Sequence, residues 1–443
     1  MHIGIDFIAF DFPQLYLPIP ELAQHRHIEA DKLTQGLGLL QMAIPDVSQD
    51  VVTFAANAVH RLMEQTQLHP EAIARIYVGS ESGVDSSKPI GSYIISLLES
   101  RYGTRAFKHC DTVDHTFACI GGVDALQSCI DYVRLHPTQK AIVVTTDIAK
   151  YDLGSSGEYT QGAGALALLI SAHPRIVALD NVTGIATEGV FDFFKPRRTV
   201  SKASITGSND NPEWMGVLEN EVTLYKDQPV FDGQYSNTCY INRITEAYHH
   251  FKELRPQEGI HFEGWAQLFM HLPYCFQARR TFSSIYAQEK HPEVTGAEDL
   301  KAIAKSEAYR SLVAQKIAPS EKASGVMGNL YTGSIFLGML SGLSQAATQT
   351  EELEGQKVGF IAYGSGSKAK VFEGQIQPGW REAIQAVRLF ETLDQRKAID
   401  FYTYEKLHKK EIDQPVGTPQ GFVLEQIEKE NPVLVGARYY GFR

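Results

Sequence analysis

Short apolar runs alternate with helix-period segments along the chain, which predicts an α/β fold whose sheet is covered by helices on both faces. Residues 141–147 (Ala-Ile-Val-Val-Thr-Thr-Asp), strongly β-branched, and 165–171 (Ala-Leu-Ala-Leu-Leu-Ile-Ser) have strand length and strand composition. Between them and the N-terminus, apolar residues at Ile120, Val123, Leu126, Ile130 and Val133 follow the threes and fours of a helix with one buried face.

Taken in order, residues 3–9 read as a strand. Residues 50–66 read as a helix through Val51, Phe54, Ala55, Ala58 and Leu62. Ile76-Tyr-Val is a short strand ending in Gly79-Ser-Glu-Ser-Gly83, and the helix after Cys119 follows. The stretch 197–226 breaks the rhythm with Ser-Lys-Ala-Ser-Ile-Thr-Gly-Ser-Asn-Asp-Asn-Pro and reads as a surface excursion. Beyond it come a helix at 240–253 and a strand at 266–273 that stops at Pro273. A helix rich in small residues at 329–347 follows, then a hairpin of 357–363 with 369–376. The tail from 377 reads as charged helix on solvated faces, Arg381–Leu393 and Lys406–Lys410 included. The two halves share a strand–helix–strand plan ending in a strand pair, and they divide at 175/176.

The net charge of −11 argues against non-specific binding to nucleic acid or acidic membrane surfaces. No apolar run reaches the length of a membrane span, and no basic segment precedes the first acid. The cysteines Cys110, Cys119, Cys129, Cys239 and Cys275 are scattered without a C-x-x-C pair. That pattern fits a reduced cytoplasmic protein without a disulfide framework or zinc cluster.

Cys119 stands just before a helix N-terminus, where unpaired N–H groups favour an anion. A thiol there is expected to ionise readily and act as a nucleophile. Gly121 and Gly122 weaken the helix but permit close approach of another backbone or a substrate. Glu81, at a strand end between glycines, is a candidate general acid/base. His271 follows an apolar strand and reads either as a core histidine or as a catalytic one. Asn329 reads as an N-cap, a donor to a thioester carbonyl or an orienter of the histidine. Lys195-Pro-Arg-Arg198 and Arg279-Arg280 read first as solvated surface, then as phosphate contacts. The glycine-rich loops match neither a dinucleotide fingerprint nor a P-loop.

In chain order, the motifs are Thr34-Gln-Gly-Leu-Gly38, Gly79-Ser-Glu-Ser-Gly-Val-Asp85, Ala118-Cys-Ile-Gly-Gly122 and Asp147-Ile-Ala-Lys-Tyr151. Glu158-Tyr-Thr-Gln-Gly-Ala-Gly-Ala165, Asp192-Phe-Phe-Lys-Pro196 and Asp232-Gly-Gln-Tyr-Ser236 follow. His271-Leu-Pro-Tyr-Cys275, Gly328-Asn-Leu-Tyr-Thr-Gly-Ser334 and Tyr363-Gly-Ser-Gly366 complete the set. Together they make the chain resemble the 3-hydroxy-3-methylglutaryl-CoA (HMG-CoA) synthase family of the thiolase superfamily, over nearly its whole length.

The resemblance implies a five-layer αβαβα thiolase-like fold of two similar halves, usually a homodimer. It implies an acyltransferase that condenses acetyl-CoA with acetoacetyl-CoA and water in the mevalonate pathway. Cys119 would carry the acetyl group, Glu81 would remove a methyl proton and His271 would polarise the acceptor. Lys32, Tyr151, Thr160, Ser236, Arg279, Asn329 and the backbone at Ser365 would contact CoA or the acyl group. No cofactor is implied, since the CoA thioesters are substrates. A second reading of the resemblance is a polyketide β-branching relative whose acceptor rides on an acyl carrier protein. A non-catalytic scaffold on the same fold is the third. The chain departs from the family at Ile120, usually tyrosine, at Val123, commonly Thr or Ser, and at Phe276, usually a phosphate-binding lysine.

Overall fold

A computed structural model describes residues 2–208 and 213–443. Among these residues, nine strands form the main sheet. They are β1 (Ile3–Asp11), β2 (Ile73–Gly79), β3 (Asp111–His115), β4 (Lys140–Ala149), β5 (Gly162–Ala172), β6 (Val177–Thr187), β7 (Trp265–Met270), β8 (Lys357–Gly364) and β9 (Lys368–Ile376). Their spatial order is β7-β8-β9-β6-β1-β5-β4-β2-β3.

The order contains one pattern twice. In the first half β2 pairs with β4 in parallel, β4 with β5 antiparallel and β5 with β1 antiparallel. In the second, β7–β8 is parallel and β8–β9 and β9–β6 are antiparallel. The halves join where β1 meets β6, through Gly4↔Ala178 and Ile5↔Val177. A Cβ added at Gly4 would sit 2.0 Å from the Val177 carbonyl oxygen, so this junction requires glycine.

The helices on the sheet's faces include α1 (Val51–Thr66), α2 (Gly121–Leu135), α3 (Gly233–Leu254) and α4 (Ser334–Thr348). Helix α1 packs on β1, β5 and β4, and α3 on β6 and β9. Helices α2 and α4 lie between the two half-sheets. There a Cβ at Gly122 would meet the Thr332 carbonyl at 2.8 Å and the Phe336 ring at 3.2 Å. The predicted close backbone approach at this glycine is real, and the layers are those of the expected thiolase-like fold.

Several boundaries shift for local reasons. Helix α3 starts at Gly233 rather than 240, because Asp232 Oδ1 accepts the N–H groups of Gln234 and Tyr235. Helix α4 starts only at Ser334, after a turn over 328–333. The excursion at 197–226 contains the paired strands Arg198–Ser201 and Glu221–Leu224, while its residues 209–212 lie outside the described residues.

The tail requires correction. Helix Trp380–Val387 buries Trp380, Ala383, Ile384 and Val387, and helix Phe401–Lys409 buries Phe401 and Tyr404. Strands Phe422–Ile427 and Arg438–Phe442 then pair antiparallel and return to α1, where Arg438 and Tyr440 bond Asp50. The sparse apolar residues of this segment contact distant elements, which its charge pattern does not reveal. No helix among the described residues is long and apolar enough to cross a membrane.

Candidate active site

Cys119 lies two residues before α2, as its periodicity predicts, and is 9% exposed. The preceding Ala118 has φ +40°. Around the sulfur stand Ala149, Tyr151 and Tyr331, with Phe193 and Phe231 packed behind them. The wall is apolar, and it changes the expected chemistry of the thiol. Burial pushes the Cys119 thiol well above its ordinary value, and the nearby Glu81 and Asp147 carboxylates add to the effect. The helix end does not make this a resting thiolate. Its Sγ–H instead donates to Glu81 Oε1 at 3.1 Å.

Glu81 sits beyond β2, held from two sides. Its N–H donates to Asp147 Oδ1 at 2.9 Å. Lys195 Nζ lies 3.5 Å from Glu81 Oε2 and donates to its carbonyl oxygen at 3.1 Å. Burial alone would lower the Lys195 ammonium, but Glu81 and Asp147 outweigh it and hold it raised. Lys195 is thus an inward, buried cation 4.6 Å above the Tyr331 ring, which corrects the solvated-surface reading of its cluster. Arg197 and Arg198 are exposed, as expected.

Asp147, near the end of β4, is fully buried. Besides Glu81 N–H, its Oδ1 accepts Ser82 Oγ–H at 2.8 Å and Ser80 Oγ–H at 3.2 Å. Its Oδ2 accepts Thr332 N–H at 3.1 Å. Thr332 Oγ1 touches Oδ2 as well, while donating to the Gly79 carbonyl at 2.9 Å. A hydroxyl has one hydrogen, so Thr332 Oγ1 serves only one of these two acceptors at a time. Burial, with Glu81 nearby, raises Asp147 to about 7.

His271 follows β7 directly. Its Nδ1 lies 2.5 Å from Ser334 Oγ at the start of α4, and its carbonyl accepts Tyr240 Oη–H at 2.7 Å. Ser334 Oγ also accepts Leu272 N–H at 3.1 Å. Segment 328–334 therefore reaches both sides of the site, Asp147 through Thr332 and His271 through Ser334. Ser334, rather than Asn329, contacts the histidine ring. Asn329 Oδ1 accepts Tyr331 N–H at 2.8 Å, a turn of the capping kind, while its Nδ2 bonds nothing among the described residues.

Burial pushes the His271 imidazole from 6.5 down to about 3. The folded ring stays neutral where an unfolded chain takes up a proton, so stability from this site is complete above pH 6.5 and is lost as pH falls towards 3. Against His271→Asn, the wild type should therefore lose stability faster as pH drops from about 7 to about 4. Urea midpoints at several pH values measure this, and parallel curves would refute it.

The remaining predicted residues fall into two groups. Asp192, fully buried, accepts Tyr363 Oη–H at 2.6 Å, Gly366 N–H at 2.7 Å and Ser236 Oγ–H at 3.5 Å, which brings Ser236 beside the 364–367 turn containing Ser365. Thr160 donates to the Gly157 carbonyl at 2.7 Å, and its own carbonyl accepts Asn329 N–H at 2.9 Å. Lys32, by contrast, is 73% exposed and pairs with Glu29 on the surface of helix Ala30–Leu37. Arg280 donates to the Gly36 carbonyl of that helix at 2.6 Å. Arg279 is bound through Nε to buried Glu321 at 3.0 Å and lies 3.8 Å above the Phe276 ring. Phe276 packs so closely on Gly38 that a Cβ there would lie 2.5 Å from the ring. Ile120 and Val123 are fully buried core residues.

Asp147, Lys195 and Ser334 are the site residues that residue-level reading misses. Asp147, at the end of a β-branched strand, gave the nearest thing to a signal.

Comparison with known proteins agrees with this architecture. The profile described as "Hydroxymethylglutaryl-coenzyme A synthase N terminal" matches residues 1–174, and its C-terminal counterpart matches 222–414. The chain is 33% identical over 413 residues to the hydroxymethylglutaryl-CoA synthase of Enterococcus faecalis, covering 93% of each chain. It is 29% identical over 445 residues to that of Haloferax volcanii, again covering 93% of each. Among solved structures, MvaS in complex with 3-hydroxy-3-methylglutaryl coenzyme A superposes with a TM-score of 0.83 at 29% identity, covering 100% of this chain and 99% of the other. The HMG synthase of the curacin biosynthetic pathway shares the fold at a TM-score of 0.79 and 20% identity, with full coverage of both. With both profiles matched in order along one chain, this protein belongs to the hydroxymethylglutaryl-CoA synthase family.

Proposed function

We propose that the chain condenses acetyl-CoA with acetoacetyl-CoA and water, releasing HMG-CoA and CoA, through an acetyl thioester on Cys119. The observation that carries the reading is the hydrogen bond from the buried Cys119 thiol to Glu81. Because the thiol is held protonated, nucleophile and base act together. Glu81 takes the thiol proton as sulfur bonds to the acetyl carbon, and CoA leaves with that proton on its own sulfur. Glu81, again a carboxylate, then removes a proton from the acetyl methyl group. The resulting enolate carbon attacks C3 of acetoacetyl-CoA, whose carbonyl oxygen becomes an alkoxide and is protonated. With Ser334 donating to Nδ1, neutral His271 presents Nε2–H to that oxygen. The unspent Asn329 amide and the backbone at Ser365 serve the thioester oxygens. Water finally cleaves the Cys119 thioester.

Since Glu321 already engages Arg279, phosphate contact falls mainly to Lys32 and Arg280. Tyr151, Thr160 and Ser236 line the acyl and pantetheine side of the same reading. The division at 175/176, the homodimer and the cytoplasmic compartment belong to the reading as well; the repeated strand pattern supports the first, the family resemblance the second and the scattered cysteines without a C-x-x-C pair the third.

The test is to incubate the protein with radiolabelled acetyl-CoA, quench, map the label and chase with acetoacetyl-CoA. Label on Cys119 that chases into HMG-CoA is expected. Absence of label refutes the covalent mechanism. Label that chases only when acetoacetyl is presented on an acyl carrier protein transfers the reading to the β-branching alternative, which the loss of the lysine at Phe276 favours.

A further inference from the structure

We infer that the C-terminal helix Phe401–Lys409 belongs to the active site: Tyr404 and His408 fix the main chain of Tyr151, and Tyr151 shields the Cys119 sulfur and its acyl group from water. The acyl part of this inference rests on the covalent-cysteine reading above.

Strand β4 ends at Ala149, so Tyr151 has no ladder partner to hold it. Side chains hold it instead. Its N–H donates to Gln161 Oε1 at 2.8 Å, and its carbonyl accepts His408 Nε2–H at 2.8 Å. Gln161 is fixed in turn, donating through Nε2 to Tyr404 Oη at 2.7 Å. Tyr404 donates to Glu158 Oε1 at 2.9 Å, and Arg26 grips Glu158 at 2.7 and 2.8 Å. Arg26 also reaches Glu405 at 2.9 Å, closing the circuit on the same helix. Lys150, the neighbour of Tyr151, donates to the His408 carbonyl at 2.8 Å. Gln161, Glu158 and Tyr404 are buried, so these bonds are made away from competing water. Gly157 leaves room for the aromatic ring, since a Cβ there would lie 2.1 Å from it.

What the clamp holds back lies next to it. A cavity of about 1160 Å³ is lined by the clamp residues Lys150, Gln161, Tyr404 and His408 and by Ala149, but by none of Tyr151, Cys119, Glu81 and His271. Ala149 also packs in the cluster of Cys119 and Tyr151, so the clamp residues face the cavity while Tyr151 and the sulfur lie behind them. Release of Tyr151 would bring water to the thioester. Water oxygen would bond to the acyl carbon and the carbon–sulfur bond would break, one water proton passing to the Cys119 sulfur and the other to solvent as acetate leaves.

His408→Ala and Tyr404→Phe test the clamp, with His408→Gln as the conservative variant whose amide can still donate to the Tyr151 carbonyl. The first readout is acetyl-CoA hydrolysis without acceptor, divided by the rate of Cys119 acetylation. The second is alkylation of Cys119 by iodoacetamide, which requires no acyl chemistry. Both should rise about tenfold in His408→Ala and Tyr404→Phe, the effect of one lost hydrogen bond on a local opening, and return towards wild type in His408→Gln. Unchanged alkylation in the folded variants, or no recovery in His408→Gln, overturns the inference. Faster alkylation in a protein that never acetylates would keep the shield and refute the covalent reading alone.

Discussion

Glu81→Ala is expected to lower HMG-CoA formation by about 10²- to 10⁴-fold, the range for loss of a positioned general base. Acetylation of Cys119 should suffer less. The variant loses the acceptor 3.1 Å from the thiol, but it also loses a negative charge that holds the thiol protonated. Lys195 remains beside the sulfur and lowers the cost of a thiolate. No such compensation exists for the carbon acid, because a methyl proton needs a base in contact with it. Single-turnover labelling from acetyl-CoA, set beside HMG-CoA formation, separates the two steps. Equal losses in both would place Glu81 in acylation only. The loop should hold its shape, since it is the main-chain N–H of residue 81 that bonds Asp147.

Asp147→Ala should cost both stability and rate. Four donors converge on this carboxyl: Glu81 N–H, the Ser80 and Ser82 hydroxyls and Thr332 N–H. Each buried donor left unpaired costs about 1–3 kcal/mol, and relaxation will recover part of the sum. A net loss of about 3–5 kcal/mol is expected, at the upper end for single substitutions. The rate should fall as well, because the same carboxyl fixes the loop carrying Glu81 and the turn leading to Ser334 and His271. Asp147→Asn should lie between the two proteins, since its Oδ1 can still accept the Glu81 N–H and serine hydroxyls. Urea denaturation beside turnover measures both effects. A variant within about 1 kcal/mol of wild type would show that the donors find other partners.

Much of this site was legible as sequence. Cys119 announced itself through the helix period that follows it, and Glu81 through its place between glycines at a strand end. His271 was readable as either core or catalytic, and a neutral buried ring against Ser334 fits both descriptions until the site around it is seen. Asp147 and Lys195 were not legible, because their significance lies in one another and in Glu81, 66 and 114 residues away in the chain. Lys195 belongs to a basic cluster whose other cations are exposed, so composition alone placed it on the surface. The tail misled in the same way. Tyr404 and His408 sit in a charged segment, yet they bond Gln161 and Tyr151 some 240 to 260 residues earlier.

The amino-acid order by itself determined the alternation of strands and helices, the nucleophile before α2 and the motifs that mark the family. These rest on local periodicity and short spacing, which a chain displays without being folded. Only the tertiary structure decided the protonation of the site. It buried the thiol against a carboxylate, set a lysine opposite and kept the histidine neutral. A helix end favours a thiolate by a local field, but desolvation and neighbouring charge act through space and are stronger here. The electrostatics of Cys119 therefore belong to the fold, and the cysteine itself to the sequence.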